Sequence, residues 1–169
     1  MTARPTWTTR TSRPDHPDAM RLLREYMTEM VVRYHCRQAL PGEVDAALAE
    51  MPSGDLAYPS GLLLLAHLGD DLAGCAGLRW QPGWAELTRV FVRPGQRGAG
   101  GGAALLAAVE ERARAAGADR IRLDTRHDLV EARALYARHG YVEIPAYSQG
   151  PYAEHWFEKQ LTFAAEHAK

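Results

Sequence analysis

At 169 residues, 46% hydrophobic and 24% charged, the chain has the make-up of one globular domain large enough to bury a core. A formal net charge of −1 excludes a global field that would draw it to nucleic acid or an anionic membrane, and there is no apolar run of about 20 residues to span a bilayer. The two cysteines, Cys36 and Cys75, form neither a disulfide framework nor a Cys-x-x-Cys pair, and no histidines pair as His-x-x-x-His, which argues against a metal. Cys75 lies in an apolar run and is expected to be a buried, inert thiol. The first residues are polar and lack an apolar signal core, so a cytoplasmic location is expected.

In chain order, residues 6–13 alternate as a first strand. Ser12 or Asp15 is placed to cap the helix that follows, which keeps apolar spacing from Leu22 to Val31 and runs to about His35. Pro41-Gly42 breaks the chain before a short helix, residues 43–51. A proline- and glycine-rich loop leads to an apolar strand, residues 62–67. The turn Gly69-Asp70-Asp71 and then Pro82-Gly83 separate it from strands at 72–80 and 84–93, giving a three-stranded meander. A glycine turn opens a helix with Leu105, Leu106, Val109 and Ala113 inward, stopped at Gly117. The next strand, residues 121–124, must run parallel to the strand before the glycine turn, because a helix connects them. A helix at about 129–139, with Asp128 as its N-cap and Gly140 as its C-cap, precedes two closing strands at 141–144 and 155–161.

The glycine turn, Arg97-Gly98-Ala99-Gly100-Gly101-Gly102, carries the most information. A strand, a glycine turn and a helix N-terminus in that order aim free backbone N–H groups at one spot, and the helix dipole adds positive potential there. Glycines let a phosphate approach without meeting a Cβ. No Lys-Ser or Lys-Thr follows, so it is not a Walker A loop. It nearly fits a Rossmann fingerprint, but three meander strands precede it, which leaves a dinucleotide-binding module a remote alternative.

The flanks extend this. Val92-Arg93-Pro94-x-x-Arg97-x-x-Gly100-x-Gly102 resembles motif A of the GNAT superfamily, the GCN5-related N-acetyltransferases, and Ala132-x-x-Leu135-Tyr136-x-x-x-Gly140-Tyr141 resembles a second family segment, with Tyr141 in place of the usual Phe. The resemblance covers about residues 72–141 and implies one domain, 1–169, of the GNAT α/β (α+β) fold: a mixed sheet of six to seven strands with a meander, a splayed parallel pair and four helices. It implies acetyl-CoA as co-substrate, its pyrophosphate on Arg97, Gly98, Ala99, Gly100, Gly101 and Gly102, its pantetheine along the backbone of Val90, Phe91 and Val92, and Tyr136 beside the thioester sulfur as the acid that protonates the leaving thiolate. Leu129 stands where many members carry a cofactor-contacting Asn, and no binding role is assigned to it.

The reaction so implied moves an acetyl group to a primary amine of a small-molecule or amino-acid-like acceptor by direct attack. Glu86 is the first candidate for general base: by strict alternation it shares a face with Val90 and Val92, although a bulge, as the family carries in that strand, would change the facing. Glu131 and His127 are weaker candidates. Tyr26, Met30, Tyr34, Tyr147 and Tyr152 are placed either to frame the acceptor or to fill the core. Alternatives are a non-catalytic acyl-CoA sensor, a protein N-terminal or lysine acceptor, or a longer acyl group admitted by the small residues Ala73, Gly74, Ala76 and Gly77. A homodimer is common in the family, and nothing in the sequence fixes it.

Overall fold

The computed structural model describes residues 3–161. The elements follow the expected order: β1 (Trp7–Thr11), α1 (Pro17–His35), α2 (Glu43–Glu50), β2 (Gly61–Leu68), β3 (Asp71–Gln81), β4 (Trp84–Val92), α3 (Gly101–Ala115), β5 (Arg120–Thr125), α4 (Val130–Arg138), β6 (Val142–Ile144) and β7 (His155–Gln160). The seven strands form one sheet in the order β1-β2-β3-β4-β5-β7-β6. Every neighbouring pair is antiparallel except β4 and β5, which run parallel as the α3 crossover requires.

Each sheet face is covered by helix. One core lies between the sheet and α3–α4, where Leu105, Leu106, Val109 and Ala113 meet Leu64, Ala85, Leu87, Ile121 and Leu123. The other lies under α1, where Leu22 and Leu23 pack on Leu63, Leu65, Cys75 and Phe91. Cys75 is buried and free, and desolvation pushes its thiol up to about 12, so it is inert.

Two capping expectations are corrected. The N-cap of α1 is His16, whose Nδ1 accepts from the Asp18 amide at 3.2 Å; Ser12 instead donates to the Arg13 carbonyl, and Asp15 receives the Arg13 guanidinium. Asp128 does not cap α4: Leu129 is the N-cap residue, and the Asp128 carboxylate is taken by Arg126 in a two-pronged pair at 2.8 and 2.6 Å. A bidentate guanidinium outbids a single backbone amide for a carboxylate.

One irregularity shapes the site. Arg89 has φ +56°, and the β3–β4 register shifts there: Gly77 faces Thr88 and Cys75 faces Phe91, so Ala76 spans two residues of β4. This is a β-bulge, which bends and twists the strand that carries it. The parallel pairing of β4 with β5 ends at Glu86↔Arg122, and beyond it the two strands diverge.

Candidate functional site

The divergence opens a cleft of about 1070 Å³. Its walls are the outer part of β4, the glycine turn with the start of α3, the end of β5, one side of α4, and α1–α2 across the top.

The glycine turn is one wall, and its shape comes from three constraints. Gly98 and Gly100 have φ +81° and +88°, and a Cβ on either would point into open space. They are glycine for their backbone conformation, not for crowding. Gly101 and Gly102 are crowded: a Cβ on Gly101 would stand 2.5 Å from the Trp7 ring, and one on Gly102 2.7 Å from Leu135 Cδ2. Trp7 also donates its indole N–H to the Ala99 carbonyl at 2.8 Å. The first α3 bond runs from Ala104 N to Gly100 O at 3.0 Å, and no described residue accepts from the amides of Gly98 to Ala103. Those amides line the mouth of a helix N-terminus beside the cleft, which fits an anion carrying several phosphate oxygens.

Trp7 is the element that sequence reasoning missed. It lies 92 residues from Ala99 and no local signal joins them. Because it holds the turn and backs Gly101, Trp7→Ala is expected to cost about 2 kcal/mol, below the range for a fully buried Trp, and to weaken anion binding at the turn; chemical denaturation and calorimetric titration check the two effects. Gly101→Ala is expected to cost about 1–3 kcal/mol by overpacking and more than Gly102→Ala, since the flexible end of Leu135 yields more readily than an indole ring; paired thermal melts of the two variants check the order.

Arg97 lies at the turn's entrance, where its Nε donates to the Val92 carbonyl at 2.8 Å and its Nη2 pairs with Glu29 at 2.8 Å. Val90, Phe91, Val92, Arg97, Gly98, Gly100, Gly101, Gly102 and Tyr136 all border the cleft; Ala99 does not, its carbonyl being turned to Trp7. Tyr136 comes from α4 and is 6% exposed. Its ring packs edge-on against Tyr141 at 5.7 Å and tilted against Phe157 at 6.1 Å. Burial raises its phenol well above the ordinary value, with the Tyr26 phenol and the Asp124 carboxylate adding to the effect. The phenol of Tyr136 is therefore held in its protonated form.

Strict alternation fails for Glu86, and the bulge is the reason. Ala85, Leu87, Val90 and Val92 pack on the α3 side, whereas Phe91 packs under α1. Glu86, alternating with Ala85 and Leu87, lies on the opposite face from Val90 and Val92. It is not a wall of the cleft. Its carboxylate accepts from Arg79 at 3.3 Å and, loosely, from the Tyr147 hydroxyl at 3.4 Å. Tyr147 is likewise outside the cleft, edge-on to Trp84 at 5.5 Å, whereas Tyr26, Met30, Tyr34 and Tyr152 line it. The Glu131 carboxylate pairs with Arg33, and His127 stacks on His155 away from the walls.

Of the carboxylates that line the cleft, Asp124 stands at the open end of β5, whereas Glu29, Glu43 and Glu131 are each paired with an arginine. Solvent reaches it through the cleft, but the surrounding walls desolvate it and raise it above the usual carboxylate range, partly offset by a long contact from Ser148 Oγ at 3.4 Å and by Arg79 and Arg89. Two buried guanidiniums line the same cleft: Arg89, 9% exposed, and Arg126, 7% exposed. Arg126 is neutralised by Asp128.

The small residues of β3 leave no extra room. A Cβ on Gly74 would strike the Phe91 carbonyl at 2.3 Å and one on Gly77 would meet Leu56 Cδ1 at 2.8 Å, so both glycines are filled by close packing, and none of Ala73, Gly74, Ala76 and Gly77 borders the cleft. These residues therefore open no space for a longer acyl group. Among the described residues no group of three or more His, Cys, Asp or Glu is arranged to hold a metal, and no helix is long and apolar enough to cross a membrane.

Comparison with known proteins agrees with this geometry. Over 99 residues the chain is 33% identical to a protein of Azospirillum brasilense named IAA acetyltransferase, a match spanning 57% of this chain and 63% of the relative. The structure of PaiA N-acetyltransferase from Thermoplasma acidophilum, solved in complex with coenzyme A, superposes with a TM-score of 0.72 at 18% identity over 92% of this chain and 99% of that one. A GNAT-family acetyltransferase of Staphylococcus aureus does so with a TM-score of 0.72 at 19% identity over 93% and 100%. These structures share the fold. Residues 19–141 match the family model described as the acetyltransferase (GNAT) family, and the chain belongs to that family.

Proposed function

We propose that the protein transfers an acetyl group from acetyl-CoA to the primary amine of a small-molecule or amino-acid-like acceptor. The observation that carries this reading is the run of unclaimed amides from Gly98 to Ala103, opening on the same cleft as the splayed end of β4 and the Tyr136 ring. The turn suits a pyrophosphate, and the unpaired edge of β4 suits an extended pantetheine arm that hydrogen-bonds as a strand would. The Thermoplasma structure, titled as a coenzyme A complex, supports the same ligand, and the name of the Azospirillum relative supports acetyl transfer.

Acetyl-CoA supplies the thioester, whose carbonyl carbon the amine attacks; the C–N bond forms as the C–S bond breaks. The chain's part is to position the reactants, accept the amine's proton and give one to the departing sulfur. Tyr136, held neutral by burial, donates to the thiolate. Asp124, inside the cleft within electrostatic reach of Tyr136, takes the amine's proton, whereas Glu86, tied to Arg79 and Tyr147, acts at most from outside. A base must be deprotonated, so the acid limb of kcat/KM is expected above the ordinary carboxylate value of about 4, and Asp124→Asn is expected to abolish that limb, whereas Glu86→Gln keeps it.

Stability should move the other way. A carboxyl whose folded pKa is raised binds its proton more tightly in the native state, so it destabilises the fold as pH rises from its unfolded to its folded pKa. Asp124→Asn is therefore expected to raise Tm at neutral pH, with the gain shrinking as pH falls through that window. A Tm difference independent of pH would contradict this.

The first test of the function is calorimetric titration with acetyl-CoA and free CoA, followed by thiol release with a panel of amines. Binding with thiol release establishes the transferase. Binding without release from any amine favours an acyl-CoA sensor, and no binding removes the proposal.

A further inference from the structure

Arg89 carries two costs that the fold does not require. Its φ of +56° is a left-handed conformation that glycine would adopt more cheaply, by about 1–2 kcal/mol. Its guanidinium is 9% exposed, yet none of the ion pairs among the described residues includes it. A buried charge without a counter-ion is costly. Its partners are all neutral: Nε donates to Ser53 Oγ at 3.2 Å, Nη1 to Thr88 Oγ1 at 3.1 Å and Nη2 to the Met51 carbonyl at 3.0 Å, with the Tyr26 ring 5.7 Å from Cζ. Arg33, Arg97 and Arg126, which line the same cleft, each have a carboxylate.

A guanidinium has five N–H donors, two on each terminal nitrogen. The three neutral acceptors use Nε–H and one N–H of each terminal nitrogen. One N–H remains on each, and the two together match the fork that a carboxylate accepts bidentately when Thr88 and Met51 take the outer hydrogens. Arg89 is itself a cleft wall, and the Asp124 carboxylate lies within its field. Among the described residues Arg89 is thus the buried cleft guanidinium with no carboxylate paired to it, the unpaired Arg138 being exposed, and Asp124 carries no bonded guanidinium or ammonium. Tyr26, whose ring lies over Arg89, lines the same cleft with Met30, Tyr34 and Tyr152.

We infer that Arg89 is a specificity-determining residue that binds the carboxylate of the acceptor, and that the acceptor is an amino acid with an apolar side chain, its amine beside Asp124. The inference rests on the acetyltransferase reading above. The bulge serves this placement: it turns Arg89 toward the post-α2 segment, where Met51 and Ser53 fix the guanidinium with its fork free.

The test is steady-state thiol release with acetyl-CoA and matched acceptors differing only in the carboxylate: phenylalanine and phenethylamine, leucine and isoamylamine. The parent is expected to prefer the carboxylated member of each pair by about 10- to 100-fold in kcat/KM, the range for hydrogen bonds to a charged group. In Arg89→Gln that preference is expected to collapse toward unity through KM, and in Arg89→Lys to return in part. Calorimetric titration of each variant with CoA reports folding and cofactor binding independently of the acceptor. Equal or better use of the decarboxylated amines by the parent overturns the inference, as does a drop in Arg89→Gln that is the same for both members of each pair. CoA binding with no thiol release from any pair also overturns it. Absence of CoA binding to the parent instead overturns the acetyltransferase reading itself.

Discussion

Gly100→Glu is expected to weaken CoA binding by at least about 100-fold, measured by calorimetric titration, while the protein remains folded. Gly100 is the N-cap residue of α3 with φ +88°, and a Cβ there meets nothing within 4 Å. The substitution therefore causes no clash within the protein. Its cost to stability is the left-handed backbone, about 1–2 kcal/mol, which a 169-residue domain of ordinary stability survives. Gly100 borders the cleft within the run of Gly98–Ala103 amides, where the phosphates would lie. A carboxylate placed there occupies the anion's position and repels it. Gly100→Ala separates the two effects: it keeps the backbone penalty without the charge, and a smaller loss of affinity is expected. Unchanged affinity in Gly100→Glu would mean that the anion binds elsewhere.

Tyr136→Phe is expected to lower kcat by about 100-fold or more, within the range for loss of a general acid, with CoA affinity little changed. The ring's packing against Tyr141 and Phe157 is kept by Phe, so the effect isolates the hydroxyl. Because burial raises the phenol further above its ordinary value near 10, Tyr136 holds its proton throughout the neutral range, and the parent's rate should not fall on the alkaline side before that value is passed. Rapid-quench measurement of the transfer step, with the kcat–pH profile beside it, checks both points. A Tyr136→Phe variant with parental kcat would assign the proton to solvent.

The largest mismatch between sequence pattern and structure lies in β4. Read by alternation, Trp84 to Val92 is an uninterrupted strand, and even the observed burial alternates along it without a break. Yet Leu87 and Phe91, four positions apart, belong to different cores. The bulge at Arg89 inverts the facing, and nothing local announces it: an Arg at φ +56° is held by Met51, Ser53 and Tyr26 from other parts of the chain. For that reason alone alternation puts Glu86 on the wrong face. The same bulge lies three residues past the last β4–β5 pair, on the stretch of β4 that walls the cleft, so one residue that breaks the period contributes both to the shape of the cleft and to its charge.

The chain's local pattern carries the order of elements, the meander, the parallel pair and the glycine turn, because each depends on short-range rules: turn glycines, strand and helix periods, and the handed crossover that a helix between strands imposes. It also determined that Tyr136 and the glycine turn belong to one family pattern. The tertiary structure sets which of two plain strand acids meets the cleft: Asp124 borders it where β4 and β5 have parted, whereas Glu86, in the last β4–β5 pair, is half-buried beside Arg79 and Tyr147. It alone joined Trp7 to Ala99 across 92 residues and left Arg89 without a counter-ion. Contacts of that sequence separation are set by how the layers pack, and packing leaves no periodic mark in the chain.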